Sequence, residues 1–210
     1  MKQSAPEVTK KRMSSEDRQS EIIRVAVELA EEKDVGSVTT QDMADAMKLT
    51  QGAIFRHFAS KDDIWLAVMH WIRDSLMKVL GKAAADATDP LEAIQRMFFA
   101  HVAFVSKHPA IPRIIFSELQ HKKDGKMRHL IQELMSGYES RITGLLDAAK
   151  EQALVDAGLE SKSAAVLYIG MIQGLVMQVS IFGGKRLLMQ EAEKIFPIFL
   201  QGIKKRNGSS

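Results

Sequence analysis

Apolar residues recur along this chain at intervals of three and four, the spacing of helices that bury one face, and no stretch alternates as a half-buried strand would. From Glu16 to about Lys33, Ile22, Ile23, Ala26, Leu29 and Ala30 keep that spacing, and Asp34-Val35-Gly36 ends the run with a glycine. Two very short helices are expected between Thr39 and Phe58. Ser60-Lys61-Asp62-Asp63 then carries a capping pattern and opens a long helix through Ile64, Trp65, Val68, Trp71, Ile72, Leu76 and Leu80.

Lys82 to Thr88 is a polar linker of small residues, and Asp89-Pro90-Leu91-Glu92 sets cap, proline and acid where a helix start needs them. The helix that follows carries Ile94, Met97, Phe98 and Val102 and ends before His108-Pro109. A shorter segment with Pro112 holds Ile111, Ile114 and Ile115, and Gln120 to His129 is basic and reads as a solvated loop around Gly125. A long amphipathic helix is expected from about Lys126 to Gln152, then a turn at Asp156-Ala157-Gly158.

Ala164 to Phe182 is apolar almost all round and long enough to raise the question of a membrane span. Gln173 and Gln178 interrupt it and amphipathic helices flank it, so it reads instead as a helix that needs burial on every side. Gly170 and Gly174, four apart, would let another helix approach closely. Gly183-Gly184 turns the chain into a last helix with Leu187, Leu188, Ala192, Phe196, Phe199 and Ile203, interrupted by Pro197. These two final helices look like half of a subunit interface. The whole is all-α.

The Thr39–Phe58 stretch, TTQDMADAMKLTQGAIFRHF, has its own chemistry. Thr39 followed by Asp42 is a capping box, and Met43, Ala44 and Met47 give the first helix an inward face. The chain turns at Lys48-Leu49, and Thr50 is placed to cap a second helix through His57. Ile54 and Phe58 would face inward, leaving Thr50, Gln51, Ala53 and Arg56 outside. Small residues and hydrogen-bonding ones together suit a major groove: Gln pairs with adenine, Arg with guanine, and a methyl touches thymine. From Ala46 to Lys61 there is no acid, while Lys48, Arg56, His57 and Lys61 are available to phosphates.

These residues strongly resemble the helix-turn-helix of the TetR family of bacterial transcriptional regulators. The resemblance covers roughly Arg18 to Met69: the opening Thr, Asp-Met-Ala, Thr50-Gln51-Gly52, the Phe55-Arg56-His57-Phe58 block and Ser60-Lys61. It implies that Gln51, Ala53 and Arg56 touch base edges, that Thr40, Thr50, Phe55, His57 and Lys61 touch the backbone, and that Gly52 lies where the helix nears DNA. Thr39 and Lys48 complete the expected DNA-binding set. Phe55 stands where Tyr is common, losing a hydroxyl to phosphate, and Lys48 where Gly is common. The implied layout is a disordered arm over 1–15, a three-helix DNA-binding domain over 16–62, and a larger helical ligand-binding and dimerisation domain over 63–206.

Net charge is only +3, and the first 63 residues hold 10 Lys or Arg against 12 Asp or Glu, so local placement rather than bulk basicity argues for nucleic acid. Lys10-Lys11-Arg12 in the arm reads as a solvated tail, with a minor groove as its alternative target. There is no cysteine, hence no disulfide or thiolate metal site, and the N-terminus lacks the apolar core of a secretory signal; the expected location is the cytoplasm. His101 and His108 lie seven apart without a third ligand at matching spacing, and no phosphate loop or hydrolase nucleophile motif is present. No enzyme activity, metal or cofactor is expected.

The 12 Met and 9 Phe fall mostly on helices, a lining suited to apolar or aromatic ligands. Polar residues on apolar faces are better clues, and His101, Phe104, Phe116, Tyr138 and Gln173 are the expected ligand contacts. The reading is a homodimeric regulator joined through its last two helices, a repressor of a palindromic double-stranded operator, released by a small apolar effector. Its alternatives are a DNA-binding regulator without a ligand switch, or a helical small-molecule-binding protein with a vestigial motif.

Overall fold

The computed structural model describes residues 14–120, 125–183 and 185–204, the side chains of 185–187 excepted. The basic arm, the tip of the Gln120–His129 loop, Gly184 and the Leu187 side chain lie outside the described residues. The chain divides into two compact units, residues 1–68 and 69–210.

In the first unit, α1 (Ser15–Glu32) starts where Ser14 and Asp17 form a capping box that the sequence reading had not marked. A single 3-10 turn (Val35–Ser37) leads to α2 (Thr40–Ala46), capped as expected by the reciprocal Thr39 and Asp42 bonds. The turn after α2 puts Lys48 at φ 55°, a left-handed conformation that glycine adopts freely and lysine does not. α3 spans Gln51–Phe55, with Thr50 Oγ accepting from Ala53 N. It is two residues shorter than expected because Arg56 and His57 close the last turn with bonds to Ile54 O instead of continuing the ladder. Ile22, Ala26, Ala30, Val38, Met43, Ala44 and Ile54 are fully or almost fully buried and form the core.

α4 (Lys61–Ala85) opens with Ser60 Oγ accepting from Asp63 N at 3.1 Å, and the boundary between the two units falls within it. The second unit continues with α5 (Pro90–Lys107), α6 (Ala110–Gln120), α7 (Lys126–Glu151), α8 (Ser161–Phe182) and α9 (Lys185–Ile203). Pro90 at the first turn of α5, behind the Asp89 cap, costs no hydrogen bond. Pro112 is tolerated in the first turn of α6 for the same reason, while Pro197 sits inside α9. α7 begins at Lys126, where the apolar spacing placed its start, inside the basic stretch that read as a loop to His129. α8 begins three residues before Ala164 because Glu160 accepts from the Lys162 and Ser163 amides.

α8 packs on α7 and α9, and α5 packs on α7 and α9. Between them sits an aromatic core: Phe98 lies 4.9 Å from Phe196 and 5.6 Å from Tyr168, and Tyr168 lies 5.8 Å from Phe199. α8 is long and apolar enough to cross a membrane by length and composition, but its burial is one-sided. Ala165, Tyr168, Ile172 and Leu175 are buried, while Val166, Leu167, Met177, Ile181 and Phe182 are exposed. The expectation of burial on every side is therefore not met within one chain.

Candidate functional site

The outer face of α3 presents Gln51, Gly52, Phe55 and Arg56 to solvent, with Thr39, Lys48 and Thr50 exposed beside them and Ala53 half-buried. Several of the expected phosphate contacts, Thr40, Thr50, His57 and Lys61, are engaged within the chain. Thr40 is buried, and its hydroxyl accepts from Gln51 Nε2 at 2.7 Å, so it holds the glutamine rather than facing outward. His57 is half-buried, its Nδ1 lying 3.2 Å from Ser15 Oγ, and its carbonyl accepts from Gln19 Nε2 at 3.1 Å. These two α1 residues clamp the end of α3, a role that nothing in their spacing announced. Lys61 Nζ donates to Gly36 O, and the Lys33 ammonium hydrogen-bonded to Asp42 holds that carboxyl down at about 2, with the Thr39 bonds adding to the effect.

Gly52 is revealing. Within this unit a Cβ at that position would meet nothing nearer than Thr50 Oγ at 4.0 Å, so no packing inside the chain requires glycine there. An exposed helical glycine costs about 0.5–1 kcal/mol relative to alanine, and no close contact among the described residues offsets that cost at Gly52.

The second unit contains a cavity of about 380 Å³ walled by α4, α5, α6, α7 and α8. Its wall is almost wholly apolar, with Ile72 and Leu76 from α4, Ile111 and Ile115 from α6, and Ile172 and Val176 from α8. A second cavity of about 340 Å³ shares Val105, Pro112, Phe116 and Val176 with it. Of the five ligand contacts expected from sequence, His101, Phe104, Phe116 and Gln173 line the first cavity. Tyr138 does not. It is fully buried behind the wall, with its hydroxyl 3.3 Å from His101 Nδ1. Desolvation pushes the His101 ring down to about 4, so the ring is neutral at physiological pH, and the same cause raises Tyr138 and Tyr168 above the usual phenol range.

Met135, Gln132 and Ser136 on α7 also line the cavity and were not anticipated. Gln132 and Ser136 are polar positions bordering the apolar stripe of α7, which sequence alone assigns to solvent.

Residues 22–68 match the family described as bacterial regulatory proteins, tetR family. The chain is 23% identical over 159 residues to the nucleoid occlusion factor SlmA of Vibrio campbellii, across 75% of this chain and 81% of that one. Among solved structures it is similar to the fatty acid degradation regulator FadR from Bacillus halodurans, with TM-score 0.77, 19% identity, and coverage of 94% and 100% of the two chains. FadR from Bacillus subtilis in complex with stearoyl-CoA gives 0.76 at 18% identity, covering 88% and 98%. The ketosteroid transcriptional regulator KstR2 of Mycobacterium tuberculosis gives 0.72 at 20%, covering 90% and 96%. Those structural likenesses speak for the fold, and the motif match speaks for the reading helix. Residues 22–68 thus carry the DNA-binding domain of the tetR family of bacterial regulatory proteins, and the chain as a whole is similar in fold to solved regulators of transcription.

Proposed function

We propose that this protein is a homodimeric, cytoplasmic repressor whose operator affinity is lowered by a small, largely apolar effector held in the second unit. The observation that carries the reading is the 380 Å³ apolar cavity, whose wall includes Ile72 and Leu76 of α4. The same helix begins at Lys61, close in sequence to α3. A molecule that displaces Ile72 and Leu76 acts on a helix shared by both units. Two α3 helices would then lose the spacing of half-sites roughly 34–36 Å apart. The complex of Bacillus subtilis FadR with stearoyl-CoA supports this reading, since a protein of similar fold there holds an acyl compound.

Gln51, Ala53 and Arg56 are the proposed base readers. Thr39, Thr50, Lys48, Phe55 and Lys61 flank them for the backbone, with Thr40 and His57 orienting Gln51 and the end of α3. Dimerisation is assigned to α8 and α9, where Leu167, Met177, Ile181 and Ile198 stand exposed. A hundredfold release of operator needs only about 2.7 kcal/mol of differential effector binding between two states.

Fluorescence anisotropy on DNA from upstream of the protein's own gene, with scrambled competitor at physiological salt, tests this. Competitor-resistant binding that Arg56→Ala weakens by about 1–3 kcal/mol, with relaxed specificity at one position, is expected. An operator affinity that no apolar compound alters would leave a DNA-binding regulator without a ligand switch. Binding that scrambled DNA removes equally would refute sequence reading by α3.

A further inference from the structure

The His101 ring in the cavity wall is tied into a chain of hydrogen bonds that runs away from the cavity. Tyr168 Oη lies 3.0 Å from the Ile94 carbonyl, which can only accept, so the Tyr168 proton is committed to it. Tyr138 Oη has two acceptors in reach, Tyr168 Oη at 3.5 Å and His101 Nδ1 at 3.3 Å, and the geometry directs its proton to Tyr168. With that proton spent, Tyr138 oxygen can only accept from the His101 Nδ1 3.3 Å away. In that arrangement the His101 proton sits on Nδ1, and Nε2 carries a lone pair.

Neither tyrosine lines the cavity, whereas His101 does, so the ring edge opposite Nδ1 is the one the cavity receives. Burial keeps the ring from taking a second proton at neutral pH. Gln173, exposed on the same wall, has its Nε2 3.8 Å from Met135 Sδ. We infer that the cavity selects apolar molecules bearing a hydrogen-bond donor, a hydroxyl in the simplest case, and discriminates against the matching ketone, because the Ile94–Tyr168–Tyr138 relay fixes His101 as an acceptor. This rests on the effector reading above and narrows it to a ligand class.

A ketone placed against Nε2 would set acceptor against acceptor at an almost wholly apolar wall, and a polar pair left unmade there weakens binding. Tyr168 thus determines specificity from outside the cavity. Removing its hydroxyl frees the Tyr138 proton to donate to Nδ1, which moves the histidine proton to Nε2 and turns the cavity face into a donor. The Ile94 carbonyl loses only an additional partner, since it lies within α5.

The test uses the full-length protein without DNA. Nitrogen NMR of histidine rings, with His101 assigned by its loss in His101→Gln, reports which nitrogen bears the proton. Borneol and camphor, rigid apolar bicycles that differ only in hydroxyl against carbonyl, are then compared by calorimetry. The wild type should show the proton on Nδ1 and bind borneol about tenfold tighter than camphor. In Tyr168→Phe the proton should move to Nε2 and the preference should reverse. Tyr138→Phe, which removes the relay's contact with the ring, should bring the two affinities together. A wild-type proton on Nε2, or a borneol-to-camphor ratio that Tyr168→Phe leaves unchanged, overturns the proposal. Operator binding does not enter these readouts, so failure of the switch and failure of the relay are distinguishable.

Discussion

Acidification should destabilise this protein through one ring well before its carboxylates protonate. His101 has an ordinary value of 6.5 and is pushed to about 4 by burial in the folded chain. Above pH 6.5 both folded and unfolded rings are neutral and nothing is lost. As pH falls below 6.5 the unfolded chain takes up a proton that the folded ring refuses, so stability falls until the folded ring also protonates near pH 4. At 1.36 kcal/mol for each unit, the full loss is about 3 kcal/mol, and about 2 kcal/mol is gone by pH 5. Asp42, Glu92, Asp147 and Glu160, all held below their ordinary values by hydrogen bonds, lose their contributions only as pH falls below those ordinary values of 3.8 to 4.5. Urea unfolding followed by far-UV circular dichroism, at fixed protein concentration because dimerisation shifts apparent stability, gives the measurement. By pH 5 the wild-type midpoint should drop by about 1 M relative to that of His101→Gln, which keeps a polar group facing Tyr138 but cannot titrate. A difference between the two proteins that stays constant from pH 7 to pH 4.5, or one that widens in the opposite sense, would refute the burial argument.

Three further outcomes are expected at other sites. Gly52→Ala should raise stability by about 0.5–1 kcal/mol while weakening operator binding at least tenfold; denaturant melts and anisotropy on one preparation would check both, and unchanged DNA affinity would remove the close-approach reading. Lys48→Gly should stabilise by about 1 kcal/mol by relieving its left-handed backbone, and should lower the salt slope of DNA binding by about 1 if Lys48 reaches a phosphate. Leu167→Glu, on the exposed face of α8, should weaken the dimer by about 3 kcal/mol without loss of helix, as read by analytical ultracentrifugation.

How far the sequence carried these conclusions depended on whether a signal was local. Thr39 with Asp42, Thr50, Ser60 and Asp89 each mark a helix start by a side chain reaching an amide two or three residues on, and all four hold in the structure. Ser14 with Asp17 obeys the same rule but went unmarked because the apolar spacing starts only at Ile22. The turn at Lys48 defied its residue type: tertiary packing of Met43, Ala44 and Ile54 overrides an unfavourable φ. The cavity was legible only in part. His101 and Gln173 stood out as polar residues on apolar faces, but a Phe or Ile that lines a void has the same helical spacing as one that fills a core. Nor did sequence distinguish Tyr138, which braces the wall from behind, from a residue that touches a ligand. That distinction depends on contacts 30 and 37 residues apart in the chain.

α8 joins the ligand and dimer proposals in one element. Ile172, Gln173 and Val176 face the cavity, while Val166, Leu167, Gly170, Gly174 and Met177 lie along an exposed stripe of the same helix. Added Cβ atoms at Gly170 and Gly174 would meet nothing within 4 Å inside the chain, so the stripe's close-approach surface is open to a second copy. A ligand that shifts α8 by a fraction of its packing distance must then alter the surface offered to the partner subunit. Thermodynamic linkage makes the converse obligatory: if effector changes the dimer constant by a given factor, dimerisation changes effector affinity by the same factor. Leu167→Glu, whose substituted side chain is on the stripe and not in the cavity wall, separates direct from linked effects. Its monomer should bind a cavity ligand with an affinity that differs from the dimer's by the factor by which that ligand shifts dimer dissociation in the wild type. Equal affinities in monomer and dimer, alongside a ligand-dependent dimer constant, would violate linkage and show that the substitution had damaged the cavity itself. Equal affinities with a ligand-independent dimer constant would place the switch in α4 rather than in α8.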